Sequence, residues 1–94
     1  MRVEWLRQAL RNLENEAAYI AADDPGAARL VVSRTLAAVA QLAEQPGLGR
    51  PGRVPGTREM IVLKTRYIVP YRVRGERVEI LRVFHTSQRP PKRE

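Results

Sequence analysis

One histidine, a dense set of arginines and no cysteine bound the chemistry open to this 94-residue chain. His85 is the only side chain whose ordinary titration falls near neutral pH, so it alone could serve as a general acid or base. It follows a strand-like run, and a histidine there can equally do no more than hydrogen-bond to backbone. The cations of the loop, strand and tail segments are Arg50, Arg53, Arg58, Lys64, Arg66, Arg72, Arg74, Arg77, Arg82, Arg89, Lys92 and Arg93. Arginine presents a planar fork of donors that matches phosphate and carboxylate oxygens. Arg74 and Arg77 flank a turn and read as solvated. Arg72 and Arg82 interrupt apolar strands, where a long charged side chain needs a surface ligand or a pairing carboxylate such as Glu59 or Glu79. With one His, no Cys and scattered carboxylates, no metal or cofactor is expected. The glycines between Gly47 and Gly56 precede neither Lys-Ser nor Lys-Thr, so they form no phosphate cradle. No Ser/His/Asp arrangement can be assembled.

The charge is unevenly spread. Residues 1–45 carry five Arg against six Asp and Glu, whereas residues 46–94 carry twelve Lys and Arg against four Glu. A nearly neutral first half and a basic second half divide the chain into a scaffold and a working surface, one that attracts phosphate or an acidic partner. No apolar run approaches the ~18 residues needed to cross a bilayer, and arginines interrupt the N-terminus, so a soluble, cytoplasmic protein is expected. The length fits one domain, residues 1–94.

The elements that must position these residues follow from periodicity. Residues 2–5 alternate as a short strand. Leu6, Leu10, Leu13, Ala17 and Ile20 recur at steps of three and four, predicting a helix over 6–22. Asp24 before Pro25 predicts a capped second helix over 25–44, with Ala28, Val31, Val32, Thr35, Leu36, Val39, Leu42 and Ala43 as its apolar face. The short connection makes the pair an antiparallel hairpin. Residues 46–56, with three Pro and four Gly, form a surface loop. Three strand-like runs then fill residues 57–84 as a meander, with Gly75 in a tight turn. Tyr67 and Tyr71 alternate with Val69 and Val73 on one face and should pack in the core. Pro70 calls for a bulge or a position needing no N–H. A basic tail, 86–94, closes the chain. The fold class is α+β in the order β-α-α-β-β-β, an antiparallel sheet packed on one face by the helix hairpin, the other face open and bearing arginines.

The string Leu48-Gly49-Arg50-Pro51-Gly52-Arg53-Val54-Pro55-Gly56-Thr57-Arg58-Glu59 resembles the loop-to-strand signature of the RelE/ParE superfamily, toxins of bacterial type II toxin–antitoxin modules. Tyr67-Ile68-Val69-Pro70-Tyr71-Arg72-Val73 and Val78 through His85 resemble that family's last hairpin. Val3-Glu4-Trp5 with Leu10, Leu13 and Tyr19-Ile20 is similar to its first strand and helix. The resemblance covers essentially the whole chain. It implies a small, often acidic antitoxin as partner, which wraps the toxin and orders on binding, in a toxin–antitoxin hetero-oligomer.

The superfamily divides by target. RelE-like members cut mRNA on the ribosome without metal; ParE-like members poison DNA gyrase. Where RelE-like nucleases usually carry an arginine, this chain has Ile68, which cannot stabilise charge on phosphate. The strings Gly56-Thr57-Arg58-Glu59 and Val69-Pro70-Tyr71-Arg72 look more ParE-like. The resemblance therefore implies a binding poison of gyrase, associated with plasmid stabilisation, rather than an enzyme. Arg50, Arg53, Arg58, Arg72, Arg82, His85 and Arg89 are its candidate target- or antitoxin-binding residues. The tail from Thr86 would serve function more than folding. The alternative, an mRNA endonuclease, would use His85 as acid or base with Arg72 or Arg82 on the phosphate, and needs these groups to converge. A third reading is a family member that binds without toxicity.

Overall fold

Asp24 and Pro25 decide where the chain turns back on itself. The structure, a computed structural model, describes residues 1–87. In it the Asp24 carboxylate accepts from the Ala27 amide at 3.1 Å, and Pro25 opens the second helix. The elements are β1 (Arg2–Trp5), α1 (Arg7–Ala21), α2 (Pro25–Ala40), a 3-10 turn (Gln41–Ala43), β2 (Arg50–Pro51), β3 (Arg58–Val62), β4 (Tyr67–Arg74), β5 (Arg77–Ile80) and β6 (Phe84–His85). The second helix thus tightens to 3-10 geometry over its last turn before Pro46, which cannot continue a helix.

The strands form one sheet in the order β1-β5-β4-β3-β2, with β6 also paired to β4. β3, β4 and β5 make the antiparallel meander. β1 joins at the edge, parallel to β5 with Val3 opposite Val78. The whole helix hairpin separates β1 from the other strands, and a connection of that length permits a parallel neighbour. This is an α+β fold with both helices on one sheet face. Ala9, Leu13, Val39 and Leu42 meet Val62, Tyr67, Val69, Tyr71, Val78 and Ile80 in the core between the layers.

The helix faces are rotated slightly from the apolar count. Leu10 and Leu36 are exposed, while the smaller Ala9 and Ala38 are buried in their place. Val73, the last residue of its alternating series, is also exposed, being near the hairpin end.

The third strand-like run is broken. β5 stops at Ile80 and β6 begins at Phe84, because the register slips by one residue: Tyr71 faces Ile80 but Ile68 faces Phe84. Two residues of β4, Val69 and Pro70, thus oppose three, Leu81 to Val83, which is a bulge. Pro70 sits opposite it. Its carbonyl accepts from the Leu81 amide at 2.9 Å, so its nitrogen, on the same side, faces the bulge where no N–H is required. The freed Val83 amide donates instead to Asn12 of α1 at 3.2 Å. Gly75 has φ +61, and no positive φ occurs at Glu76. That is the type II′ pattern favoured in two-residue hairpins.

Candidate functional site

Strand alternation places Tyr67, Val69 and Tyr71 toward the helices, so Ile68, Pro70 and Arg72 face away. Cross-strand pairing extends that second face: Glu59 lies opposite Pro70, Ile61 opposite Ile68, Glu79 opposite Arg72, Arg77 opposite Arg74, and Glu4 opposite Glu79. Two carboxylates organise it. Glu79 accepts from Arg72 Nε at 2.7 Å, pairs with Arg77 at 3.2 Å, and has Arg74 at 4.0 Å. Glu59 pairs with Arg50 at 3.2 Å and has Arg53 Nε at 3.8 Å, and it also accepts from the Arg53 amide. Both glutamate side chains are 6% exposed, whereas the five arginine side chains are 37–61% exposed. The anions therefore lie beneath and the guanidiniums outside. The Arg72 hydrogen bond holds the Glu79 carboxyl below its ordinary value, outweighing the opposing effect of desolvation.

This face is less open than the layer arrangement alone implies. The Gly/Pro loop folds over its β3 side, and the Arg53 guanidinium lies 5.6 Å from the centre of the Phe84 ring. A buried hydroxyl anchors the loop. Tyr71 Oη donates to the Pro46 carbonyl at 2.7 Å and accepts from the Gly49 amide at 2.8 Å. A Cβ at Gly49 would come within 2.8 Å of Tyr71 and of the Glu59 carbonyl, so only glycine lets the loop approach so closely. Arg58 holds the same loop, donating to the carbonyls of Gly47 and Gly49 at 3.3 and 2.7 Å.

His85 lies on the opposite side of the sheet. It pairs with Tyr67 on the helix-facing side, edge-on to the Tyr67 ring with centroids 5.1 Å apart. The Ser87 amide donates to His85 Nδ1 at 3.1 Å, which puts the proton of the neutral ring on Nε2. Tyr67 donates to Glu16 at 2.8 Å. Burial first, then that hydrogen bond, pushes the phenol pKa well up, so Tyr67 stays protonated. These groups line a cleft of about 420 Å³ with Tyr19, Ile20 and Arg66.

The sequence-derived candidates therefore divide into separate groups. Arg50 and Arg53 gather on Glu59, and Arg72 on Glu79. Arg58 clasps the loop. Arg82 sits in the bulge with a buried Nε that has no hydrogen-bond partner among the described residues, and pairs with neither glutamate. Arg89 and the rest of 88–94 lie outside the described residues. His85 and Arg72 occupy opposite faces, so the nuclease constellation that joins them is not assembled. At Ile68 the second face is apolar, opposite Ile61 and Phe84.

Arg74 and Arg77, read from sequence as solvated turn residues, instead complete the Glu79 cluster. The signal was present: a two-residue turn at Gly75-Glu76 fixes a register that puts Arg72, Arg74, Arg77 and Glu79 on one face. Among the described residues no three His, Asp or Glu group together as metal ligands do, and no helix is long and apolar enough to cross a membrane.

A two-helix hairpin packs on one face of a mixed sheet whose other face is arginine-rich, a small α+β fold. The family described as "ParE toxin of type II toxin-antitoxin system, parDE" matches residues 3–90, and the chain belongs to that family. It is 49% identical over 90 residues to "Putative toxin Y4kP" of Sinorhizobium fredii (strain NBRC 101917 / NGR234), covering 96% of this chain and 93% of that protein. A solved structure described as "Chromosomal ParDE TA system from P. aeruginosa" superposes with a TM-score of 0.81 at 29% identity, covering 93% of this chain and 97% of that one.

Proposed function

We propose that this ParE-family toxin inhibits DNA gyrase by binding and is neutralised by a cognate antitoxin. The observation that carries the reading is the separation of His85 from Arg72 across the sheet. A phosphodiester-cleaving site needs acid, base and anion-stabilising groups around one phosphate, and here Arg72 lies on the face opposite His85, while Tyr67 and Glu16 beside His85 are spent on each other's hydrogen bond. A binding poison needs only a shaped, charged surface. The basic loop and the arginine face supply one, and the tail from Thr86 would extend it.

The antitoxin has a natural seat. A groove of about 540 Å³ runs between α2 and β3, lined by Ala37, Leu48, Ile61 and Leu63 and rimmed by Arg34, Arg50 and Lys64. β2 pairs only with Arg58 and Glu59, so among the described residues the rest of that β3 edge has no strand beside it. Leu63 is 78% exposed. An acidic segment with aliphatic side chains would cover the edge and the groove together. The ParDE assembly of the P. aeruginosa neighbour agrees with such a partner.

The test is supercoiling of relaxed plasmid by gyrase with the purified chain. Lost supercoiling and trapped cleaved DNA, both reversed by the antitoxin, are expected. Absence of any effect from folded protein would redirect the reading to cleavage of translated mRNA.

A further inference from the structure

The two carboxylate clusters do more than neutralise charge. On a protein surface a guanidinium is usually mobile, and fixing it for a ligand costs side-chain entropy. Here Arg50, Arg53, Arg72, Arg74 and Arg77 are gathered on two glutamates that themselves barely reach solvent. Arg50, Arg72 and Arg77 each spend part of the fork on a carboxylate within 3.2 Å, Arg53 and Arg74 stand 3.8 and 4.0 Å from one, and all keep further N–H donors for the solvent side. The one exposed acid on the same strand positions is Glu4, 3.8 Å from Arg77. A ligand approaching this face meets positioned cations with the compensating anions beneath them.

We propose that the sheet face turned away from the helices binds the phosphate backbone of double-stranded DNA without reading its sequence. The inference goes beyond the target reading and stands whether or not gyrase is that target. Geometry favours a duplex backbone. Adjacent strands lie roughly 4.8 Å apart and residues rise roughly 3.4 Å along each, so the β3 cluster on Glu59 and the β5 cluster on Glu79, two strands apart and offset by two residues along β4, are about 12 Å apart. Each DNA strand carries a phosphate every ~3.4 Å of axis, so two phosphates of one backbone can meet two sites at that spacing.

The face also lacks what other polyanions would use. Its one aromatic, Phe84, is covered by Arg53, leaving no platform on which single-stranded bases could stack. Its strand positions carry no Asn or Gln to read adenine edges, and Arg50, Arg72 and Arg77, the forks that could read guanine, are held on glutamates. An acidic protein segment would want exposed aliphatic surface beside the charge. Of the aliphatic strand residues on this face only Ile61 is exposed, at the β3 edge where it joins the groove between α2 and β3, while Ile68, nearer the Glu79 cluster, is buried.

Binding of a short labelled DNA duplex to the full chain, followed by fluorescence anisotropy over a salt series, tests this. Arg53→Ala with Arg74→Ala removes two charges from the face but leaves the closer Arg50, Arg72 and Arg77 on the glutamates. Arg7→Ala with Arg11→Ala removes two from the exposed side of α1 and is the matched control. The face pair should weaken binding about tenfold or more and lower the log–log salt slope by about 1.8, with the control close to wild type. Equal losses in both pairs would mean attraction by net charge alone and overturn the proposal. So would tighter binding of single-stranded DNA, or face variants that hold duplex normally but lose a poly-glutamate peptide. Should the face pair unfold by circular dichroism, amide shift mapping of the wild-type chain with duplex decides. Shifts on β2, β4 and β5 support the proposal, and shifts confined to the helices reject it.

Discussion

Tyr71 joins the core to the loop through a single hydroxyl. Its ring is fully buried, while its oxygen satisfies both the Pro46 carbonyl and the Gly49 amide. Tyr71→Phe would keep the ring and strand two backbone groups, so it should destabilise the chain by about 1–3 kcal/mol in urea unfolding. Gly49→Ala should cost a similar ~1–3 kcal/mol, because the added Cβ overlaps Tyr71 and the Glu59 carbonyl. Thr35 offers the opposite test. It is fully buried in α2 with no partner for its hydroxyl among the described residues. Thr35→Val should therefore stabilise by about 1 kcal/mol and raise Tm by about 4–8 °C. An unchanged or lowered Tm would show that the hydroxyl is satisfied. The apolar pattern placed Thr35 on the buried face correctly, but periodicity counts side chains and cannot show whether a hydroxyl finds an acceptor.

At the scale of elements, the β4–β5 hairpin and its bulge control what each face presents. The Glu79 cluster depends on the hairpin register, and its charge state makes stability depend on pH. Glu79 in the folded chain titrates below its ordinary 4.5, chiefly through the Arg72 hydrogen bond. Its contribution is complete above that ordinary value and disappears as pH falls through the lowered one. Unfolding free energy measured from neutral to acid pH should fall over this window, and Glu79→Gln should flatten that part of the fall. An unaltered acid limb in the variant would assign the loss to other carboxylates. Much of this arrangement was legible beforehand. Pro70 announced a bulge, Gly75 a tight turn, and Asp24-Pro25 a helix start. The break after Ile80 was not, because Val78 to Phe84 reads as one continuous strand; only the slipped partner register and the pull of Asn12 on Val83 interrupt it. The fate of Arg74 and Arg77 followed from a register that short sequence segments state weakly.

Across the whole molecule, the charge asymmetry maps onto layers. The helices form a nearly neutral cover, while the sheet and its loop carry the arginines on the far face. Family membership and this layering were both visible in the chain. The opposite placement of His85 and Arg72 was not, since both lie on strand segments whose two faces are partly apolar and the bulge shifts the phase between them. On the proposed reading the arginine face carries the target contact, and His85 is expected to be dispensable. The most direct measurement is gyrase supercoiling with the wild-type chain beside a folded His85→Ala variant. Equal inhibition by both, reversed by antitoxin, is the predicted result. A wild-type chain that leaves gyrase untouched, or a variant that keeps its fold and loses all inhibition, would contradict the account.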